Sequence, residues 1–373
     1  MANALDAYIP EIWAQESLMW LRKNLVLASL VHRDFENEVA ARGDTVNTRK
    51  PKSFTAQAFT GTVTIQDAQA DNVPVVLDQH IHVAFEISDK DRSLAIKDLV
   101  EEYLGPAGYA VADKIDQDIW ALYKDVPYNF GTAGTTPSAV SDITGIRKVQ
   151  NDRLVPLPQR RLVLDSAAEE KFLQLSTFHE ANKVGDEGTA LREASLGRKF
   201  GMDFFMDQNA PQQTAGVPGG TPLVNGAHLA GDATIVIDGG GASGTYKKGD
   251  IVTFAGDTAP YAVVSDLTLD GTGNGTLTIT PALRVNIADN AAITLKATHR
   301  VNLAFHRNAF ALVSRPLDTP PVGDVRTAIA QSDGIGVRVT IGYDIRKLSV
   351  VGVLDLLYGV KTLDLELAAR LLG

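Results

Sequence analysis

Residues 73–88 read VPVVLDQHIHVAFEIS, and this stretch decides the fold. Ile81, Val83, Phe85 and Ile87 fall on one face, while His80, His82, Ala84 and Glu86 fall on the other. A period of two marks a strand buried on one side. A second strand-like run, Phe54–Gln66, precedes it, so 45–88 is expected to form a long hairpin. At about 13 residues per strand and about 3.3 Å per residue, such a limb reaches about 40 Å. An isolated two-stranded hairpin is marginal in water. The limb is therefore expected to lie on a neighbouring subunit and to leave a folded body behind if residues 52–84 are deleted. A building block is favoured over a catalyst.

Outward from the limb, Glu11–Val31 carries helical spacing in Ile12, Leu18, Leu21, Leu25 and Ala28, with Pro10 at the first turn. Trp13 and Trp20 sit seven residues apart on it. On the other side, Ser88 or Asp89 caps a long helix that runs to about Lys124, with a kink or short break expected at Gly105-Pro106 and Gly108. Shorter elements follow: a helix over 142–151, a strand over 161–164, a helix over 166–175 and a strand over 200–206. From 216 to 297 Gly, Thr and Ala dominate and helical spacing vanishes. Short β runs separated by turn clusters predict a small all-β barrel or sandwich inserted into the parent fold. After it, 301–314, 337–345 and 348–357 are expected as strands and 363–372 as a closing helix. The fold class expected is α+β.

Composition narrows the function. The 373 residues include no cysteine, which removes disulfides and thiolate chemistry and suits a reducing cytoplasm. Residues 1–10 lack the features of a signal peptide, and no apolar run approaches a membrane span. Net charge is −10, with only small basic clusters such as Arg160-Arg161 and Lys247-Lys248. Sequence-specific nucleic-acid binding needs a basic stripe, so it is not expected.

Catalytic signals are weak. Gly239, Gly241 and Gly244 satisfy G-x-G-x-x-G, but another strand follows where a dinucleotide site needs a helix. A hairpin loop is expected there. Gly244–Gly249 has the glycine spacing of a P-loop, yet Asp250 stands where lysine is required. His80 and His82 share a strand face without a third ligand placed by sequence. No catalytic, cofactor or metal residues are assigned.

Four groups of residues stand out: RLVLDSAAE at 161–169, LGRKFGMDFF at 196–205 with Asn209-Ala210-Pro211, NLAFHRNAFALV at 302–313 with Arg315-Pro316-Leu317, and Gly342-Tyr343-Asp344 with DLLYG at 355–359 and the run 363–371. In these stretches the chain resembles the major capsid proteins of tailed bacteriophages, which have the Hong Kong 97 fold. The pattern is most similar to the coat proteins of the Salmonella short-tailed phage type, which carry a β-barrel insertion. The resemblance implies an N-terminal arm (1–44), an extended hairpin loop (45–88), a spine helix with peripheral domain (89–140), an apical domain (141–215), the inserted barrel (216–297) and returning strands with a C-terminal helix (298–373). It implies pentamers and hexamers closing an icosahedral shell around double-stranded DNA. Expected partners are other copies of the chain, a separate scaffolding protein, a portal and a decoration protein, with the product located in the virion after assembly in the host cytoplasm. Candidate contacts between subunits are Trp13, Trp20, Phe54, Phe59, Ile81, Val83, Phe85 and Ile87. Some members of the family cross-link through a lysine in the extended loop, and Lys50 and Lys52 lie in that region. Two other readings remain open: a nanocompartment shell of the same fold, and a cytosolic enzyme or glycan-binding protein using the β segment for recognition.

Overall fold

The computed structural model describes residues 10–33, 45–50, 56–59, 63, 65, 71–88, 99–179, 195–319, 326–332 and 334–373. They divide into two compact units, Met1–Ile115 with Phe310–Leu363, and Asp116–Ala309 with Asp364–Gly373. Helices and sheets are mixed in both, as an α+β class requires.

The first unit is organised by the strand Ser349–Thr362. Its even positions Val350, Leu354, Leu356 and Tyr358 are buried, so the period of two selects one face. Gln79–Ser88 pairs antiparallel along one edge, from Ser349↔Ser88 to Tyr358↔Gln79. Ile335–Asp344 and Phe310–Arg315 share the other edge, and Arg326–Ser332 pairs outside Ile335–Asp344. Directly opposed residues lie on the same face of a sheet, so Ile81, Val83, Phe85 and Ile87 join the buried row 350–356.

That pairing corrects the expected limb. The run 73–87 is two strands, Asp71–Val76 and Gln79–Ser88, and the second belongs to the protomer's own sheet. Alternation fixes a face but not the partner that supplies the neighbouring strand. The hairpin itself is Thr45–Lys50 with Asp71–Val76, and its base packs Val46, Val75 and Leu77 on Ala311 and Val313. Most of the expected strand 54–66 lies outside the described residues, and Ala56–Phe59 has no strand pairing.

Pro10–Asn24 and Leu27–Leu30 are the N-terminal helices, interrupted at Leu25-Val26. Leu99–Trp120 is helical throughout, including Pro106, so the expected break does not occur; 89–98 lies outside the described residues. The glycines serve close packing instead. A Cβ on Gly108 would sit 3.1 Å from Trp20 Cβ and 3.2 Å from the Ser17 carbonyl.

The second unit contains a seven-stranded mixed sheet. Its main order is Asn129–Phe130, Ala368–Leu372, His299–His306, Arg160–Leu164, Met202–Met206 and Arg198–Lys199, with Gln212–Gln213 also on His299–His306. Val140–Asp152 and Ser166–Leu173 contribute Ile143, Ile146, Ala168 and Phe172 to a core with Leu162, Leu164, Met202, Phe204 and Leu371. The strand-to-helix step at Asp165 is a side-chain cap, its carboxylate accepting from Ala168 N–H at 3.1 Å. Two expectations fail here. Residues 301–314 form separate strands, His299–His306 and Phe310–Arg315, broken by a 3₁₀ turn over Arg307–Ala309. The closing helix is a short 3₁₀ turn, Leu365–Leu367, followed by the strand Ala368–Leu372. All five residues of that strand are buried, and a strand flanked on both sides loses the alternation that identifies it.

Within 216–297 a six-stranded sheet runs in the order Ile293–Leu295, Ile251–Phe254, Tyr261–Val263, Gly275–Thr280, Thr234–Asp238, Leu223–Val224. Its two outer strands meet: Leu223 bridges Ala292, and Val224 N–H donates to the Ala291 carbonyl at 3.0 Å. Ile235, Ile237, Val252, Phe254, Tyr261, Leu277 and Ile279 fill the inside. The glycines at 239–244 form a connection between Thr234–Asp238 and Thr245–Tyr246. A Cβ on Gly244 would lie 2.0 Å from the Pro218 carbonyl, so the motif reflects backbone crowding.

Candidate functional site

Two places concentrate unusual chemistry, one in each unit. In the first, the hairpin segment presents apolar side chains to solvent. Phe59 is 74% exposed, Val63 76% and Ile65 91%. Single exposed apolar residues are ordinary, but here three described residues within seven positions are exposed.

The eight candidate contact residues separate into groups. Trp13 and Ile87 are buried in the protomer, 1% and 2% exposed. Phe85 is half-buried; its ring is 5.8 Å from Trp13 and stacks on Tyr103 at 5.6 Å. Trp20, Ile81 and Val83 are also half-buried, and the Trp20 ring lies over Gly105. Phe59 stays exposed, and Phe54 lies outside the described residues.

The opposite face of the same sheet carries several polar groups. Asp355 is buried and takes a two-point contact from Arg338, with Nε 2.9 Å from Oδ1 and Nη2 on Oδ2. His80 Nε2 is 3.7 Å from this carboxylate, and His82 is its cross-strand partner. Asp355 is committed to Arg338, and among the described residues no group of three His, Asp or Glu is placed to hold a metal. Glu86 accepts from Ser349 Oγ at 2.6 Å and Lys347 Nζ at 3.2 Å, and these bonds hold its carboxyl below the ordinary range.

In the second unit, a buried polar junction joins 216–297 to the parent sheet. Asp250 accepts from Gly216 N–H at 2.9 Å, Lys247 N–H at 2.9 Å and Gln213 Nε2 at 2.7 Å. Gln213 Oε1 in turn accepts from Tyr123 Oη at 2.6 Å. Arg370, on the strand Ala368–Leu372, is completely buried and donates to the Gly249 carbonyl at 2.7 Å and the Lys124 carbonyl at 3.3 Å. Its guanidinium lies 5.1 Å from the Tyr123 ring centroid. Burial pulls Arg370 down to about 10, and burial with the Asp250 charge pushes Tyr246 up to about 12. His299 is also lowered, by burial first, with Arg370 adding to the effect. A second tie runs through Arg284, which donates to Tyr128 Oη and to Glu366 at 3.1 Å; Tyr128 Oη donates to the same carboxylate at 2.5 Å. These groups spend their charges on one another and on backbone carbonyls, an arrangement that fixes geometry. Sequence reasoning singled out Asp250 only as a residue that spoils a P-loop, and missed Arg370 because a lone arginine in an apolar run carries no partner information.

The fold so defined is an α+β architecture with a pleated unit, a mixed-sheet unit and a strand-rich segment placed between two paired strands of that mixed sheet. A chain of Mycobacterium phage Che8 shares it, with a TM-score of 0.54 and 16% identity over 93% of this chain and 90% of that one. The capsid of Ralstonia phage GP4 gives a TM-score of 0.49 at 10% identity, covering 92% and 86%, and the capsid of cyanophage P-SCSP1u gives 0.48 at 14%, covering 89% and 84%. No protein-family model matches the chain, and no curated protein matches it. Among the described residues, no helix is long and apolar enough to cross a membrane.

Proposed function

We propose that this chain is the major capsid protein of a tailed bacteriophage, self-assembling through pentamers and hexamers into an icosahedral head that encloses double-stranded DNA. The observation that carries the reading is the fold shared with the Che8 chain over nine-tenths of both molecules. The exposed side chains of Phe59, Val63 and Ile65 support it, since they gain burial only against another surface. In this reading the protein is not an enzyme and works geometrically. Head-to-tail contacts close rings, and many weak contacts act together. The fold is of the Hong Kong 97 type, and 216–297 is an inserted barrel whose meeting edges leave no long strand free to pair elsewhere. Phe59 is the leading contact between subunits, with Trp20, Ile81, Val83 and Phe85 offering their exposed remainders, and Phe54 is a further contact in this reading. A scaffolding protein, a portal and a decoration protein are the further partners of such a shell. DNA is enclosed without sequence reading, consistent with a net charge of −10. Electron microscopy of the purified full chain, alone and co-expressed with its neighbouring genes, tests the proposal. Closed shells are expected; a protein that stays monomeric under every condition sinks it.

A further inference from the structure

A groove of about 570 Å³ lies in the second unit, where the segment 216–297 leaves the parent sheet. Its charged lining is Lys124, Lys247, Lys248 and Asp266, and Thr214 and Ser265 add hydroxyl groups. The backbone beneath the lysines is fixed. Lys247 N–H donates to Asp250 at 2.9 Å, Lys248 N–H donates to Asp266 at 2.6 Å, and the Lys124 carbonyl accepts from Arg370 at 3.3 Å.

The ammonium groups are not committed in the same way. Lys248 Nζ is 3.9 Å from Asp125, at the limit of an ion pair. Among the described residues, Lys124 and Lys247 have no carboxylate within that distance. Lysines elsewhere in the unit do: Lys148 Nζ is 2.7 Å from Asp152 and Lys171 Nζ 3.4 Å from Glu170. Three ammonium groups against Asp266 and Asp125 leave positive charge in excess here, in a chain whose net charge is −10. Like charges gathered in a concavity repel, and the field they focus attracts a counter-ion. A bound anion removes the repulsion, and the fixed backbone lowers the entropy lost in ordering the site.

The lining also selects the kind of anion. Tyr123 is its one aromatic residue, and it is 3% exposed with its hydroxyl donated to Gln213 at 2.6 Å. No ring face is therefore offered on which a nucleic-acid base could stack. Lysine binds phosphate as a point charge, without the planar fork that an arginine brings. Pockets of about 300–1,000 Å³ enclose whole small molecules, so the space suits more than a single monovalent ion.

We propose that this groove binds a small polyvalent oxyanion of the oligophosphate class. The proposal goes beyond the shell reading and stands without it. A ligand here meets both 212–214 and the turn at 247–248, so it clamps the strand-rich segment to its parent sheet.

Isothermal titration of the full chain with inorganic tripolyphosphate, in magnesium-free buffer, tests the site. The wild type is expected to bind, and a Lys124→Gln, Lys247→Gln double variant to bind about tenfold or more weakly. Asp266→Asn is expected to bind more tightly, since its amide oxygen still accepts from Lys248 N–H while the one carboxylate of the lining is gone. That gain is one a misfolded variant cannot imitate, so it decides the matter even if the double variant unfolds. A Lys148→Gln, Lys171→Gln control is expected to bind like the wild type. A wild type that does not bind, or a control that weakens as much as the double variant, overturns the proposal. So does an Asp266→Asn variant that binds no better than the wild type. A short single-stranded oligonucleotide that binds more tightly than tripolyphosphate overturns the choice of a small ligand.

Discussion

Gly108 and Asp250 show how much rests on single side chains. Gly108 lets Pro10–Asn24 approach Leu99–Trp120 to van der Waals contact at Trp20 and Ser17. A Gly108→Val substitution places branched carbon where backbone and tryptophan already sit, and a loss of about 1–3 kcal/mol is expected from overpacking. Chemical denaturation of the full chain measures it. Asp250 accepts three N–H donors. Asp250→Asn turns one acceptor into a donor pointed at donors, with an expected loss of about 1–3 kcal/mol for buried donors left unsatisfied. Thermal unfolding reads this directly, and a shift under 1 °C would contradict the role given to the junction. His299 and His306 titrate below their ordinary value, chiefly through burial. The unfolded chain therefore binds protons first as pH falls. Stability is full above about pH 6.5 and declines below it, toward the lowered folded values. Melting curves at pH 7.5 and pH 5 should show this drop, and replacing both histidines by glutamine should flatten it.

At the scale of elements, the alternation of 81–87 is legible because one face is buried against the row 350–356 and the other is polar. The partner strand was not legible, because it lies more than 260 residues away in sequence and period two says nothing about it. The same limit explains 363–372: ELAARLL satisfies helical spacing, but its place between two strands makes every residue apolar or paired. The short β runs of 216–297 were readable from their turn clusters. The burial of Trp13 and Ile87 in the protomer was not readable, since an apolar residue looks the same in sequence whether it faces a neighbour or a core. Excising 52–84 would remove Gln79–Ala84 from the sheet, so the informative truncation is shorter. Replacing 51–70 by a four-residue turn is expected to leave the melting temperature within a few degrees and to abolish particles in electron micrographs. Normal particles from that variant would remove the hairpin from the assembly mechanism.

For the whole molecule, like charge sets the conditions of association. Exposed charges more than about 10 Å apart are largely screened at 0.1 M salt. Raising sodium chloride from 50 to 300 mM is therefore expected to increase light scattering from assembling protein, because repulsion between copies at −10 weakens while apolar contacts do not. A decrease would mean that salt bridges dominate the contacts.

The strand-rich segment departs at Gln213 and returns at His299, residues paired side by side in one sheet. Opposed residues of an antiparallel pair sit only about 5 Å apart at their Cα atoms. For an engineer this is a socket: foreign cargo whose own ends lie close together can be plugged in without stretching the host. The plug cannot be simply pulled, however, because Arg370 would be left without the Gly249 carbonyl that receives it. Any graft that omits a replacement acceptor should exchange that arginine for a leucine or methionine at the same time.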